Sequence, residues 1–140
     1  MAKLLYDMYQ PDCAKYAVES DVPQIYELLL ENFDLQADHI PSEDDLLQIV
    51  KEKEVMIYKI GDKIECFFIY RREGKKLYCA FSYNHASADI LYSIERRVKE
   101  IEYEENGIKM HYAWFNAENK KALRRNAWKD TKIRDYIFVK

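Results

Sequence analysis

Apolar and polar residues alternate through 13–19, with Cys13 at the start and Val18 near the end, and this period of two predicts a short strand. Asp21 then offers a helix N-cap and Pro23 is tolerated in a first turn. Ile25, Leu28, Leu29 and Asn32 continue at helical spacing, so a helix is predicted to end near Phe33. Beyond the polar stretch 34–41, Ser42 is a second N-cap, followed by Asp44 and Asp45 where the helix dipole favours carboxylates. Leu46, Leu47, Ile49 and Val50 give that helix its buried face, to about Lys53. Two strand-like runs, 55–60 and 64–71, flank Gly61 and Asp62, and Gly74 marks a turn before 77–82, which predicts a three-strand antiparallel meander. In 89–106, Ile90, Leu91, Ile94, Val98 and Ile101 recur on one face and Gly107 supplies the stop, the strongest helix pattern in the chain. A strand at 108–115, a short basic helix at 118–126 and a final strand at 136–139 complete the order. Leu4, Leu5, Tyr6, Met8 and Tyr9 are too apolar for a free tail, so residues 1–12 form an N-terminal extension that packs as an extra segment.

Composition narrows the class. A chain of 140 residues, 49% apolar and 34% charged, with 12 Tyr, 6 Phe and 2 Trp, is expected to fold as a single packed domain over 1–140. No apolar run approaches the roughly 20 residues that span a bilayer, and the N-terminus lacks the organisation of a secretory signal, so a soluble cytoplasmic protein with no membrane partner is expected. Cys13, Cys66 and Cys79 are odd in number and sit in apolar runs, which points to reduced thiols and to no metal site.

The net charge of −3 is unevenly spread: residues 1–57 hold 13 acidic and 4 basic side chains, residues 58–140 hold 12 and 18. That asymmetry is either solvated helix faces or an acidic half facing a cation and a basic half facing an anion. Tyr70-Arg71-Arg72 interleaves aromatic and basic residues, but an acidic chain without a nucleic-acid motif predicts no nucleic-acid partner.

The segment Tyr83-Asn84-His85-Ala86-Ser87-Ala88-Asp89 stands where a strand hands over to the strongest helix, the place at which backbone amides and the helix dipole hold an anion. Strand, helix, helix, three antiparallel strands, this junction, long helix, strand, helix, strand: the order resembles the GNAT superfamily of acyl-coenzyme A dependent N-acetyltransferases. Ala17-Val18-Glu19-Ser20-Asp21-Val22-Pro23 is similar to its opening strand and aspartate-capped helix, Ile60-Gly61-Asp62-Lys63-Ile64 to its hairpin, and Asn119-Lys120-Lys121-Ala122 to its helix after the fifth strand. The fold class implied is α/β (α+β), a GNAT-like mixed and mostly antiparallel central sheet with helices on both faces.

The resemblance implies acetyl-coenzyme A (acetyl-CoA) as co-substrate and an amine, small-molecule or peptide, as acceptor. The coenzyme's pantetheine arm would pair with backbone at Ala80, Phe81 and Ser82. Its pyrophosphate would meet Tyr83, His85, Ala86, Ser87, Ala88 and Asp89, and Asn119 would contact the arm. The chain departs from the family where Ala86 replaces a glycine of the phosphate turn and where Asn126 stands in place of a proton-donating tyrosine. Glu65, a carboxylate in the middle of an apolar strand, Tyr83 and Tyr112 are the candidate catalytic replacements; His111 and Tyr112 alternate faces, so at most one points into any pocket. Lys120, Lys121, Arg124 and Arg125 form a basic cluster, either beside the coenzyme phosphates or in solvent. Two functions are carried forward: an N-acetyltransferase with a cationic acceptor against the first two helices, and a catalytically silent GNAT-like binding module whose aromatic surface serves a homodimer.

Overall fold

In the computed structural model, which describes residues 14–33, 39–86 and 88–113 with positions 132, 134, 137 and 138, five strands form one sheet in chain order. They are β1 (Lys15–Tyr16), β2 (Val55–Ile60), β3 (Lys63–Glu73), β4 (Lys76–Asn84) and β5 (Met110–Ala113). All neighbours are antiparallel except β4 and β5, which are parallel. A parallel step needs a crossover, and helix α3 (Ala88–Asn106) supplies it. Helices α1 (Val22–Asn32) and α2 (Glu43–Lys51) lie between β1 and β2 in sequence. The fold is therefore α+β with a mixed, mostly antiparallel sheet.

Alternation of apolar side chains on the central strands builds two cores, one per face. Val55, Ile57, Phe67 and Ile69 pack against Ile25 and Leu29 of α1 and Leu46 and Val50 of α2. Met56, Tyr58, Cys66, Phe68 and Tyr70 pack against Ile90, Ile94 and Val98 of α3. Each face closes only because helices cover it, so the predicted helices on both faces are present.

Local chemistry sets the element ends. Ser42 caps α2 as predicted, its Oγ accepting from the Asp45 N–H at 3.1 Å. Asp21 occupies the N-cap position of α1, but its carboxylate turns back to accept from the Val18 N–H at 2.8 Å and pairs with Lys59. That 3₁₀ turn (Glu19–Asp21) ends the first strand earlier than the predicted 19. Helix α2 stops at Lys51 because Lys53 adopts a left-handed conformation with φ of 57°. The long helix ends at Gly107, φ 65°, as the sequence predicts.

The predicted helix 118–126 lies outside the described residues, as do positions 1–12, 136 and 139. Ile137 and Phe138, described positions of the predicted last strand, belong to no strand and are exposed.

Candidate functional site

Strand β4 is where the sheet changes character. On one edge it pairs with β3 from Glu73↔Lys76 to Cys66↔Asn84, and on the other, within the described residues, with β5 from Lys76↔Met110 to Cys79↔Ala113. Residues 114–131, which follow Ala113 in sequence, lie outside the described residues.

A bulge interrupts the pairing of β4 with β3. Ile69 pairs with Phe81 and Tyr70 with Cys79, so Ala80 is the extra residue. Its insertion shifts the alternation by one. Leu77 and Cys79 pack on the α3 core, whereas Phe81 and Tyr83 pack on the α1/α2 core. A second bulge sits in β3: Tyr58 pairs with Cys66 and Lys59 with Ile64, which leaves Glu65 as the unpaired insertion. The mid-strand carboxylate of the sequence reading sits at this bulge, largely buried, with the Lys63 ammonium 3.9 Å from it.

The two bulges gather three of the candidate residues at one end of β3 and β4. The Glu65 carbonyl accepts from the His85 N–H at 2.8 Å, and the Tyr83 ring stacks on Phe67 at 5.4 Å and parallel to His85 at 6.5 Å. Burial, followed by the Glu65 charge, raises the Tyr83 hydroxyl above the usual tyrosine value, so it keeps its proton. Tyr112 is elsewhere. It lies opposite Tyr78, five residues from Tyr83 along β4, or about 16 Å at roughly 3.3 Å per residue. Its hydroxyl donates to Glu73 at 2.9 Å.

At the junction with α3 the amides are partly engaged. Besides the His85 bond, the Ala86 N–H donates to Asn84 Oδ1 at 3.1 Å, and the same oxygen accepts from Cys66 Sγ at 2.7 Å. Burial pushes the Cys66 thiol up to about 11, so it donates as a neutral S–H. Asn84, absent from the sequence expectation, organises this turn. Its signal was legible: an asparagine two residues before a bend is an Asx-turn former. Ala88 and Asp89 open α3, whose N-terminal end carries the positive pole of the helix dipole. Ser87 and Asn119 lie outside the described residues.

On the α1/α2 face a cavity of about 400 Å³ reaches the Ala80 bulge. Ile49, Ile69 and Phe81 form its apolar wall, and Glu52 and Glu54, at the corner between α2 and β2, its acidic end. Among the described residues no helix is long and apolar enough to cross a membrane.

No family model matches the chain, and no curated protein matches it by sequence. Solved structures do match. A "possible acetyltransferase" from Clostridium difficile 630 superposes with a TM-score of 0.56 at 18% identity, over 91% of this chain and 97% of that one. An aminoglycoside acetyltransferase from an uncultured soil metagenomic sample gives 0.57 at 14%, over 91% and 95%. This chain has a GNAT-like fold. A third GNAT-like match, a "predicted acetyltransferase" from Clostridium acetobutylicum whose structure contains acetyl-CoA, gives 0.54 at 11%, over 89% and 94%. With identities this low, what these structures share with the GNAT-like fold of this chain is architecture.

Proposed function

We propose that the protein is an N-acetyltransferase that moves an acetyl group from acetyl-CoA to a primary amine. The observation that carries this reading is the Ala80 bulge in β4, a strand that leads into the N-terminus of a long helix. Ala80, Phe81 and Ser82 offer backbone to the arm of the coenzyme, and the first amides of α3, those of Ala88 and Asp89 among them, offer donors to its pyrophosphate. The residues present fit an extended amide-bearing arm better than they fit the pyrophosphate, because two of the turn amides already serve Glu65 and Asn84. When bound, the coenzyme supplies an acyl carbon that bonds to the amine nitrogen as the carbon–sulfur bond breaks, the thiolate gaining a proton and the amine losing one. In this chain Tyr83 holds a proton and Glu65, beside it, can accept one, which suits them to those two transfers. The cavity beside Ala80 takes the acceptor, and the aminoglycoside acetyltransferase among the similar structures supports an amine there.

A second reading has its own support: the engaged amides of His85 and Ala86 suit a GNAT-like module that no longer turns over. Calorimetry with acetyl-CoA and thiol release over a panel of primary amines separate the two. Binding with thiol release is the expected result. Binding without release across the panel would favour the silent module, and no binding at millimolar acetyl-CoA would remove the first reading.

A further inference from the structure

We propose that Arg72 is a positioning residue for the cavity beside Ala80: its guanidinium holds the corner from α2 to β2 in place, and that corner sets the wall a bound molecule meets. That the bound molecule is the amine acceptor rests on the acetyl-transfer reading; the hold on the corner does not.

The corner comprises Glu52, the C-cap of α2, with Lys53 and Glu54. The last carbonyls of a helix have no partner within it and carry the negative end of its dipole, so a corner of this kind needs donors from elsewhere. Arg72 supplies them. Its Nη1 donates to the Glu52 carbonyl at 3.1 Å and its Nη2 to the Lys53 carbonyl at 3.0 Å. Its backbone N–H donates to Glu54 Oε2 at 2.8 Å, so one residue of β3 contacts all three corner residues. Tyr70, two places back on β3, adds its own N–H to the Glu54 carbonyl at 2.9 Å.

The guanidinium is itself fixed by the helix on the opposite face of the sheet. Nε and Nη2 each donate to the Glu102 carboxylate at 2.7 Å, and Glu102 is fully buried in α3. All three guanidinium nitrogens are thus engaged by the protein, so Arg72, although it borders the cavity, acts on a ligand through the corner. Ile49, Glu52 and Glu54 border the cavity from the corner side, and Ile69, Ala80 and Phe81 from the sheet. The Ile49 carbonyl accepts from the Glu54 N–H at 3.2 Å, so a shift of the corner carries Ile49 with it. The planar fork of arginine reaches a carboxylate and two carbonyls at once. The single ammonium of lysine keeps the charge without that geometry.

Hydrogen exchange and steady-state kinetics on the whole chain with Arg72→Lys test this. The amides of Glu52, Lys53 and Glu54 are expected to exchange at least about tenfold faster, with those of α1 unchanged. In thiol release from acetyl-CoA with butylamine as acceptor, the KM for butylamine is expected to rise about tenfold while kcat and the KM for acetyl-CoA stay within about twofold. If Arg72→Lys does not fold, Arg72→Met with Glu102→Leu, which strands no charge, carries the same expectations. Unchanged exchange at the corner, an equal acceleration in α1, or equal rises in both KM values would overturn the positioning role. Faster exchange confined to the corner, with no thiol release from the wild type, would count against the transferase and leave the positioning of the cavity wall standing.

Discussion

Arg72 and Glu102 show how one pair of side chains ties the two halves of the molecule together. Glu102 is fully buried, accepts both Arg72 bonds, and also accepts from Asn106 at 3.0 Å. Arg72 reaches on to the carbonyls of Glu52 and Lys53 at 3.1 and 3.0 Å. Glu102→Gln leaves the part-buried Arg72 guanidinium without its carboxylate and is expected to cost about 2 kcal/mol in urea unfolding, in the range of a hydrogen bond to a charged group. Arg72→Met combined with Glu102→Leu should cost less than that single change, because no uncompensated charge remains. His111 makes a different prediction. Its ring meets Phe68 edge-on at 5.6 Å, and burial, with Lys99 adding to it, pushes the imidazole down to about 4. The unfolded chain protonates this residue near 6.5 and the folded chain only near 4, so stability is complete above 6.5 and declines as the pH falls to about 4. The loss is at most about 3 kcal/mol, at 1.36 kcal/mol per unit. Denaturation series at pH 7.5 and 4.5 should show a steeper decline for the wild type than for His111→Phe.

Elements meet at two kinds of joint, corners and bulges. The corner from α2 to β2 turns through Lys53, held at a positive φ of 57°. Its carbonyl accepts from the Tyr70 hydroxyl at 3.0 Å as well as from Arg72. A left-handed conformation costs a side-chain-bearing residue about 1 kcal/mol that glycine does not incur. Lys53→Gly keeps the carbonyl and is expected to raise the melting temperature by a few degrees, corresponding to about 1 kcal/mol. Stability unchanged or lowered in calorimetric melting would mean that the Lys53 side chain, which lies over the Tyr16 ring at 5.9 Å, outweighs the strain. The bulges at Glu65 and Ala80 work on position instead. Each adds one residue to a strand, and since the side-chain period is two, that residue redirects everything after it. Without the Ala80 insertion, Phe81 and Tyr83 would point into the α3 core and the cavity would lose a wall.

At the scale of the whole molecule, the candidate site forms where a sheet covered on both faces carries a bulge in β4. Ile49 of α2 provides part of one wall of the cavity, and α3 begins shortly after the end of β4. A ligand held there binds the folded chain alone. Acetyl-CoA at 100 times its dissociation constant is therefore expected to stabilise the fold by about 2.7 kcal/mol, visible as a concentration-dependent rise in melting temperature. A melting temperature indifferent to millimolar acetyl-CoA would remove the coenzyme from the account.

What the sequence determined by itself was local. Ser42 as a cap, Gly61, Gly74 and Gly107 as turns and stop, and the apolar stripe of Ile90, Ile94 and Val98 depend on neighbours within a few residues, so spacing reveals them. Glu102 continues that stripe at the next interval of four, a buried carboxylate in plain view whose partner lies thirty residues away and could not be read from spacing. The tertiary structure alone decided the pairing partners. It placed Glu65, Tyr83 and His85 together, sent Tyr112 to Glu73, and brought Ile49, Ile69 and Phe81 to one cavity. The physical reason is that a bulge is one residue in a register. Register is a relation between strands, set by packing on both faces of the sheet, and nothing in the β4 sequence around Ala80 marks where it shifts.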